Sequence, residues 1–191
     1  MSLLKAIKTQ LGLSNTPANN FTITAEADNG TLKLARGNAG ATTQDILTVD
    51  ANGRVAMPQN AIYASIYKTS ISAASATMTV VTDMTTDFSS NVTIANGRIT
   101  VPVAGVYQVN FGASFDITTD AQLSGLYVNG LFWVAAGGPL ASGFNNRPQG
   151  SYLLSLAANG YVELAAQRGS TACNIANGRN TFISICLIAK A

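Results

Sequence analysis

The sequence contains no histidine and few charged residues. Asp, Glu, Lys and Arg make up 10% of the 191 residues, whereas roughly 25% is usual in globular domains. Histidine is the most frequent general base and a common metal ligand, so its absence removes the residue on which many catalytic and zinc sites depend. The net charge of +2 is spread along the chain and forms no basic patch, which argues against a nucleic-acid partner. We therefore expect a protein that is not an enzyme and that uses no cofactor and no metal.

The nine acidic residues are scattered rather than clustered. Asp83 and Asp87 are four residues apart, as are Asp116 and Asp120, and both pairs fall in predicted strand and loop regions. Two interpretations are open for these pairs. They solvate the loops, or they supply calcium ligands from the same loops.

Long hydrophobic runs are also absent, although the chain as a whole is apolar. No run approaches the roughly 18 residues needed to span a bilayer, so we expect no membrane insertion. Hydrophobic residues nevertheless make up 47% of the chain, and the mean hydropathy is +0.22. Apolar surface hidden between subunits would explain this excess, and we expect an obligate oligomer. Residues 1–13 lack the apolar core and cleavage site of a signal peptide, so assembly in a cytoplasm is expected.

The chain has two cysteines, Cys173 and Cys186, which is too few for a disulfide framework. They form one bridge if their strands are neighbours, or else they are buried free thiols. Neither has the basic neighbours that would activate a thiolate nucleophile.

Residues 96–115 combine a tight turn, a strand, a break and a second strand. Asn96-Gly97 supplies the positive backbone angles of a two-residue hairpin. Pro102 cannot donate to a strand ladder, so the first strand is expected at an edge or a bulge. In the second strand, alternation places one apolar set on a single face: Tyr107, Val109, Phe111, Ala113 and Phe115.

The same alternation recurs along most of the chain. Six Asn-Gly dipeptides, beginning at positions 29, 52, 96, 129, 159 and 177, punctuate runs of alternating polarity. From residue 60 to residue 191 these runs predict one all-β domain, a sandwich or barrel that we term the knob.

The N-terminal third predicts two further regions. Residues 1–18 comprise a short helix, with Leu3, Leu4, Ile7 and Leu11 at helical spacing and Gly12 at its end, followed by a linker containing Pro17. Such a helix is too short to be stable alone. It either clusters with its own copies or anchors the protein in a larger assembly, and we favour anchoring.

Residues 19–59 contain two short hairpins that turn at Asn29-Gly30 and Asn52-Gly53. Hairpins of this length cannot bury a core by themselves. We expect stacking with identical chains, as in a fibrous stalk or collar.

The knob resembles the jelly roll of the complement component-one-q globular head and the tumour necrosis factor superfamily. The segments that carry the resemblance follow the family order: residues 61–64 (AIYA), 97–107 (GRITVPVAGVY), 126–130 (LYVNG), 151–156 (SYLLSL) and 181–188 (TFISICLI). One departure is Asn159-Gly160-Tyr161, where the family usually has Gly-Asp. The resemblance implies a ten-stranded, two-sheet sandwich assembled as a homotrimer. Candidates to face the threefold axis are Tyr107, Val109, Phe111, Phe115 and Phe182.

Residues 30–40 and 46–55 resemble segments of tailed-bacteriophage fibre and virion-appendage proteins. Together with the knob they suggest a short trimeric fibre, on the head or the tail of a virion, whose N-terminus joins capsid, neck or tail proteins. Two alternatives are a capsid decoration or head-fibre protein without a dedicated receptor, and a bacterial surface lectin, which should carry an export signal.

The segment from residue 131 to residue 150 is the longest without clean alternation, and we expect a loop there. Its candidate ligand residues are Trp133, Phe144, Asn145, Asn146 and Arg147. Aromatic rings stack on sugars while amides and arginine bind hydroxyl groups, so a host-surface glycan is one candidate ligand. The alternative is that Trp133 and Phe144 pack between subunits.

Overall fold

The computed structural model describes residues 7–16, 19–26, 30–39, 41–57, 61–116, 121–138 and 147–191. Contacts divide the chain into two compact units, Met1–Ala61 and Ile62–Ala191, here termed the N-terminal unit and the C-terminal unit. Across the described ranges, no helix is long and apolar enough to cross a membrane.

The N-terminal unit is a single antiparallel sheet whose five strands are adjacent in chain order. The strands are β1 (Ile7–Leu11), β2 (Phe21–Glu26), β3 (Thr31–Asn38), β4 (Ala41–Val49) and β5 (Val55–Ala56). Both predicted hairpins are confirmed, since β2 pairs with β3 and β4 pairs with β5. Gly30 and Gly53 have φ angles of +64° and +76°, as their turns require.

The predicted N-terminal helix is wrong where it can be compared with the structure. Ile7–Leu11 is a strand that pairs with β2, and Leu11 lies opposite Phe21. A helix of a dozen residues is marginal in water. Pairing with the free edge of β2 instead provides hydrogen bonds for the backbone N–H and C=O groups of every second residue of the strand. Leu3 and Leu4 lie outside the described residues.

The C-terminal unit contains two main sheets and a small third one. Its strands are β6 (Tyr63–Lys68), β7 (Ser72–Ala73), β8 (Thr79–Val80), β9 (Met84–Ser90), β10 (Thr93–Ala95), β11 (Arg98–Thr100), β12 (Gly105–Gly112), β13 (Gln122–Val128), β14 (Leu131–Gly138), β15 (Gln149–Leu156), β16 (Tyr161–Gln167), β17 (Asn174–Ile175) and β18 (Gly178–Lys190). One sheet has the order β15-β12-β18-β6-β9. The other has the order β10-β11-β16-β13-β14, with β8 beside β16, while β17 pairs with β7. The predicted all-β sandwich is confirmed.

The core between the two sheets contains most of the residues that we proposed for the trimer axis. Tyr107, Val109 and Phe111 are fully buried, and Phe115 is 1% exposed, all within a single chain. A side chain so enclosed offers no surface to a second copy, so these four are core residues of one chain. Phe182 differs, because it is half-buried and alternates with the core residue Ile183.

Two other expectations change in the C-terminal unit. The first half of the predicted loop is a strand, β14, which forms an edge of its sheet. The strand before Pro102 is short and ends at Thr100, with β10 on one side and β16 on the other. The Asn96-Gly97 turn is confirmed, with φ angles of 52° and 76°.

Candidate functional site

The outward side of the sheet β15-β12-β18-β6-β9 carries no charge over three complete cross-strand rows. We term these fifteen positions the uncharged face. The rows are Leu153-Gln108-Cys186-Tyr63-Ser90, Ser151-Asn110-Ser184-Ser65-Phe88 and Gln149-Gly112-Phe182-Tyr67-Thr85. Solvated sheet faces normally carry charged side chains, so an uncharged one is typical of a surface that binds another protein.

Hydrogen bonds across β15, β12 and β18 order the middle of the uncharged face. The Ser151 hydroxyl donates to Asn110 Oδ1 at 2.7 Å and accepts from Gln108 Nε2 at 3.1 Å. Asn110 Nδ2 in turn donates to Ser184 Oγ at 3.4 Å. The polar groups of this region are thus largely paired within one chain, which lowers the cost of covering them.

Exposed apolar side chains flank this polar centre. Leu153 is 65% exposed on β15, and Phe88 is 54% exposed on β9 at the opposite edge. Tyr63 packs against Phe88 with their ring centroids 5.9 Å apart. Burying these groups against a second chain would be favourable in proportion to the apolar area removed from water.

A shallow cavity of about 210 Å³ opens at the β6 and β9 side of the uncharged face, lined by Ser65, Tyr67, Asp87, Arg179 and Phe182. Arg179 donates to both carboxylate oxygens of Asp87, at 3.0 and 2.6 Å. Its guanidinium also lies 5.1 Å from the centre of the Tyr67 ring. The hydrogen bonds from Arg179 hold the pKa of Asp87 below its ordinary value.

The outward side of the other main sheet is charged by contrast. Arg98 donates through Nε and Nη2 to Glu163 Oε1, at 3.1 and 3.0 Å. The guanidinium of Arg98 also stacks on Tyr161 at 3.7 Å. Sequence reasoning missed this group, because it depends on the pairing of β11 with β16, which are some sixty residues apart in the chain.

Three consecutive apolar residues, Leu131, Phe132 and Trp133, are exposed at the start of β14, by 74%, 53% and 59% respectively. Because they directly follow the turn that joins β13 to β14, we term these three residues the aromatic hairpin. Trp133 is the extra residue of a bulge, since Phe132 pairs with Tyr127 and Val134 pairs with Leu126. Phe132 also contacts Tyr127 edge to face, with centroids 5.8 Å apart.

Of the five predicted ligand residues, the structure describes Trp133 and Arg147, and it places them in different sheets. Phe144, Asn145 and Asn146 lie outside the described residues. Arg147 precedes β15 in the opposite sheet, and its Nη1 donates to Asn180 Oδ1 at 3.4 Å. Trp133 lies near the start of β14, five residues before its end.

Of the four acidic residues considered as calcium ligands, Asp83, Asp87 and Asp116 accept hydrogen bonds within the chain. Lys68 and Ser70 donate to Asp83, and these hydrogen bonds outweigh partial burial and hold the pKa of Asp83 below 3.8. The backbone and side-chain nitrogens of Asn174 donate to Asp116, which lowers its pKa. Asp120 lies outside the described residues. Within the described ranges, no three His, Cys, Asp or Glu residues form a metal-binding cluster.

Cys173 and Cys186 are not joined by a disulfide bond. Cys173 is buried in the core, whereas Cys186 is half-buried at the centre of the first row of the uncharged face. The first thiol lies in the core and the second faces outward from its sheet, which explains why no bridge forms.

Comparison with solved structures identifies the architecture of the C-terminal unit. The Eiger tumour necrosis factor of S. frugiperda superposes with a TM-score of 0.56 at 16% identity, over 69% of this chain and 95% of that chain. Murine APRIL gives a TM-score of 0.53 at 12% identity, over 69% of this chain and 99% of its own. The fold is the tumour necrosis factor and complement-1q jelly roll. The globular domain of zebrafish complement 1qA matches it as well, with a TM-score of 0.50 at 16% identity, over 68% of this chain and 99% of that chain.

Comparisons by sequence add no relative to these structures. No protein-family model matches the chain, and no curated protein matches it either. At identities of 16% or less, the structural neighbours show the jelly roll alone, and function must be argued from surfaces.

Proposed function

We propose that this chain is a non-enzymatic structural protein of a tailed-bacteriophage virion. In this proposal it forms a short homotrimeric fibre, on the head or the tail. The C-terminal unit is displayed outward, and the N-terminal unit joins capsid, neck or tail proteins. The placement on a virion derives from the resemblance of residues 30–40 and 46–55 to phage fibre segments.

The main support for self-association is the uncharged face. The C-terminal unit has the tumour necrosis factor and complement-1q jelly roll, and its resemblance to that family implies a homotrimer. In this chain one sheet presents three uncharged rows edged by Leu153 and Phe88, with the Arg179–Asp87 pair beside them. The other sheet presents the Arg98–Glu163 pair. Covering the uncharged face removes apolar area from water, and the two charges beside it, Asp87 and Arg179, are already paired with each other. It is therefore the surface that identical copies share.

The test is the mass of the purified protein by sedimentation equilibrium, with variants at the two edges of the uncharged face. We expect three times the 19.7 kDa of one chain. Leu153→Glu on β15 and Phe88→Glu on β9 each place a charge where the copies would meet. Both variants should shift the mass toward a single chain while circular dichroism still reports a β fold.

Leu131→Glu is the matched control, because Leu131 is at least as exposed but lies on the other sheet. Its mass should equal that of the unaltered chain. A monomeric parent protein would refute self-association, and trimers that survive both face variants would place the interface elsewhere.

A second role, glycan binding, derives its support from the aromatic hairpin. Phe132 and Trp133 are consecutive exposed aromatic residues on an edge strand, and a sugar ring can stack on such side chains. This function would suit either a receptor-binding fibre or a bacterial surface lectin. A glycan array probed with the intact protein and with Trp133→Ala tests it: binding lost in the variant supports the role, and an array without binding to the parent leaves a decoration protein without a receptor.

A further inference from the structure

The N-terminal unit is a single layer of sheet with one apolar side. Cross-strand register places Ile23, Leu34 and Leu47 in one row, and Ala25, Leu32, Val49 and Val55 in the next. Leu11 and Phe21 form a third row on the same side, which continues through Arg36 to Gln44. The Arg36 guanidinium lies 5.8 Å from the Phe21 ring. We term these nine hydrophobic residues, Leu11, Phe21, Ile23, Ala25, Leu32, Leu34, Leu47, Val49 and Val55, the apolar face.

The opposite side of the same sheet is polar. Thr24, Lys33 and Thr48 form one row there, and Lys33 lies 3.9 Å from Asp45. The two sides therefore differ in polarity, as the core-facing and solvent-facing sides of a sheet normally do.

The residues of the N-terminal unit that the structure describes cover little of its apolar face. Of the apolar side chains that the structure describes in this unit, Ala35 alone is buried, and it lies on the polar side. Leu32 remains 42% exposed and Val55 61%. A sheet that is apolar on one side is stable only when a second layer covers that side.

We infer that the same face of the other copies in the oligomer covers it, so that the sheets of the three chains enclose one shared apolar core. The size of the face favours this occupant. Five strands of about six residues span roughly 480 Å², which is less than the roughly 800 Å² that each partner of a stable two-body interface contributes. So small a face associates firmly only when its partners are already held together, as they would be by the uncharged face.

The chemistry of the apolar face favours identical copies as well. Apart from Thr9, which pairs with Ile23, and the row that contains Phe21 and Arg36, it is aliphatic. Copies related by symmetry therefore match over most of the face by apolar contact alone, with Arg36 at its margin. This inference rests on the proposed trimer, and the experiment is chosen so that the two can fail separately.

Cysteine cross-linking of the full chain tests the inference. In a Cys186→Ser background, Leu34→Cys places a thiol on the apolar face, and Lys33→Cys places one on the polar side of the same strand. Since packed sheets lie about 10 Å apart, a short bis-maleimide should join two Leu34→Cys chains, giving at least tenfold more dimer on a denaturing gel than Lys33→Cys. Val49→Cys and Thr48→Cys repeat the comparison on β4 if Leu34→Cys does not fold.

Labelling with a fluorescent maleimide separates the other occupants. If Leu34→Cys reacts as fast as Lys33→Cys, the apolar face is open to solvent and the inference is wrong. A Leu34→Cys thiol that is protected but not cross-linked shows that the chain itself or a different protein covers the face, which also overturns it. A monomeric mass for the parent protein would instead refute the trimer on which the inference depends.

Discussion

The Lys68–Asp83 pair is the residue-scale interaction on which the C-terminal unit depends most clearly. The Lys68 side chain is fully buried, and its ammonium donates to Asp83, which also accepts from Ser70. Asp83→Asn removes the negative charge and leaves the ammonium buried without a counter-ion. Because the Asp83 side chain keeps 35% of its surface exposed, we expect a loss of about 2 kcal/mol, less than for a fully buried pair.

Urea unfolding followed by circular dichroism, at equal protein concentrations, measures this loss. Asp87→Asn is the matched control, since it breaks the exposed Arg179–Asp87 pair in the same unit. Its effect should be much smaller, because water screens an exposed pair. Equal losses for the two variants would mean that burial of Lys68 does not increase the stabilisation that the Lys68–Asp83 pair provides.

At the scale of single elements, two turns of matched geometry allow the cost of a positive φ angle to be separated from the cost of a steric clash. Gly97 and Gly130 have φ angles of 76° and 78°, and each follows an asparagine with a φ of 52°. A Cβ on Gly97 would meet the Val81 carbonyl oxygen at 2.5 Å, whereas on Gly130 it would meet the Tyr161 hydroxyl at 3.1 Å. The first contact is with backbone, and the second is with the far end of a side chain.

We therefore expect Gly130→Ala to cost about 1 kcal/mol from the positive φ angle alone. Gly97→Ala should cost at least twice as much, because the turn between β10 and β11 must move away from Val81. Thermal unfolding of the two variants measures the difference. A larger loss for Gly130→Ala would show that the Tyr161 contact, rather than the backbone contact, is the restrictive one.

The strands that the sequence predicts have one side in the core, whereas those that it misses lie at sheet edges or contain bulges. Strand β12 was evident because Tyr107, Val109 and Phe111 alternate with polar residues and all three enter the core. Strand β9 was missed because it is an edge strand of Thr, Ser and Asp, with little apolar pattern. In β14 the bulge at Trp133 shifts the alternation by one residue. Local pattern therefore finds strands that face the core and fails at edges and bulges.

The candidate surfaces were less predictable than the strands. Gln108, Asn110 and Ser184 are unremarkable polar residues in the sequence, and they define a face only after β12 pairs with β18. The same holds for the N-terminal sheet, where a local helical spacing of Leu and Ile concealed a strand. Cross-strand register is a long-range property, and a single sequence specifies it only through the completed fold.

For the molecule as a whole, the lack of histidine predicts an unusual pH dependence of stability. Asp83, Asp87 and Asp116 all have a folded-state pKa below the ordinary value of 3.8. A carboxylate with a lowered pKa stabilises the fold above its unfolded-state pKa of about 3.9, and that contribution is lost as the pH falls through the folded-state value. Stability should thus be retained down to about pH 4 and decline below it.

Between pH 5 and pH 8 no side chain with an ordinary pKa in that interval is present, because the sequence has no histidine. We expect the melting temperature to be constant across this interval when salt and protein concentration are held fixed, and to fall steeply below pH 4. Asp83→Asn should flatten the acid limb, since one of the three carboxylates no longer titrates. A distinct change in melting temperature near pH 6 would contradict this account, because it would require a group with a strongly raised carboxyl pKa or a strongly lowered thiol pKa.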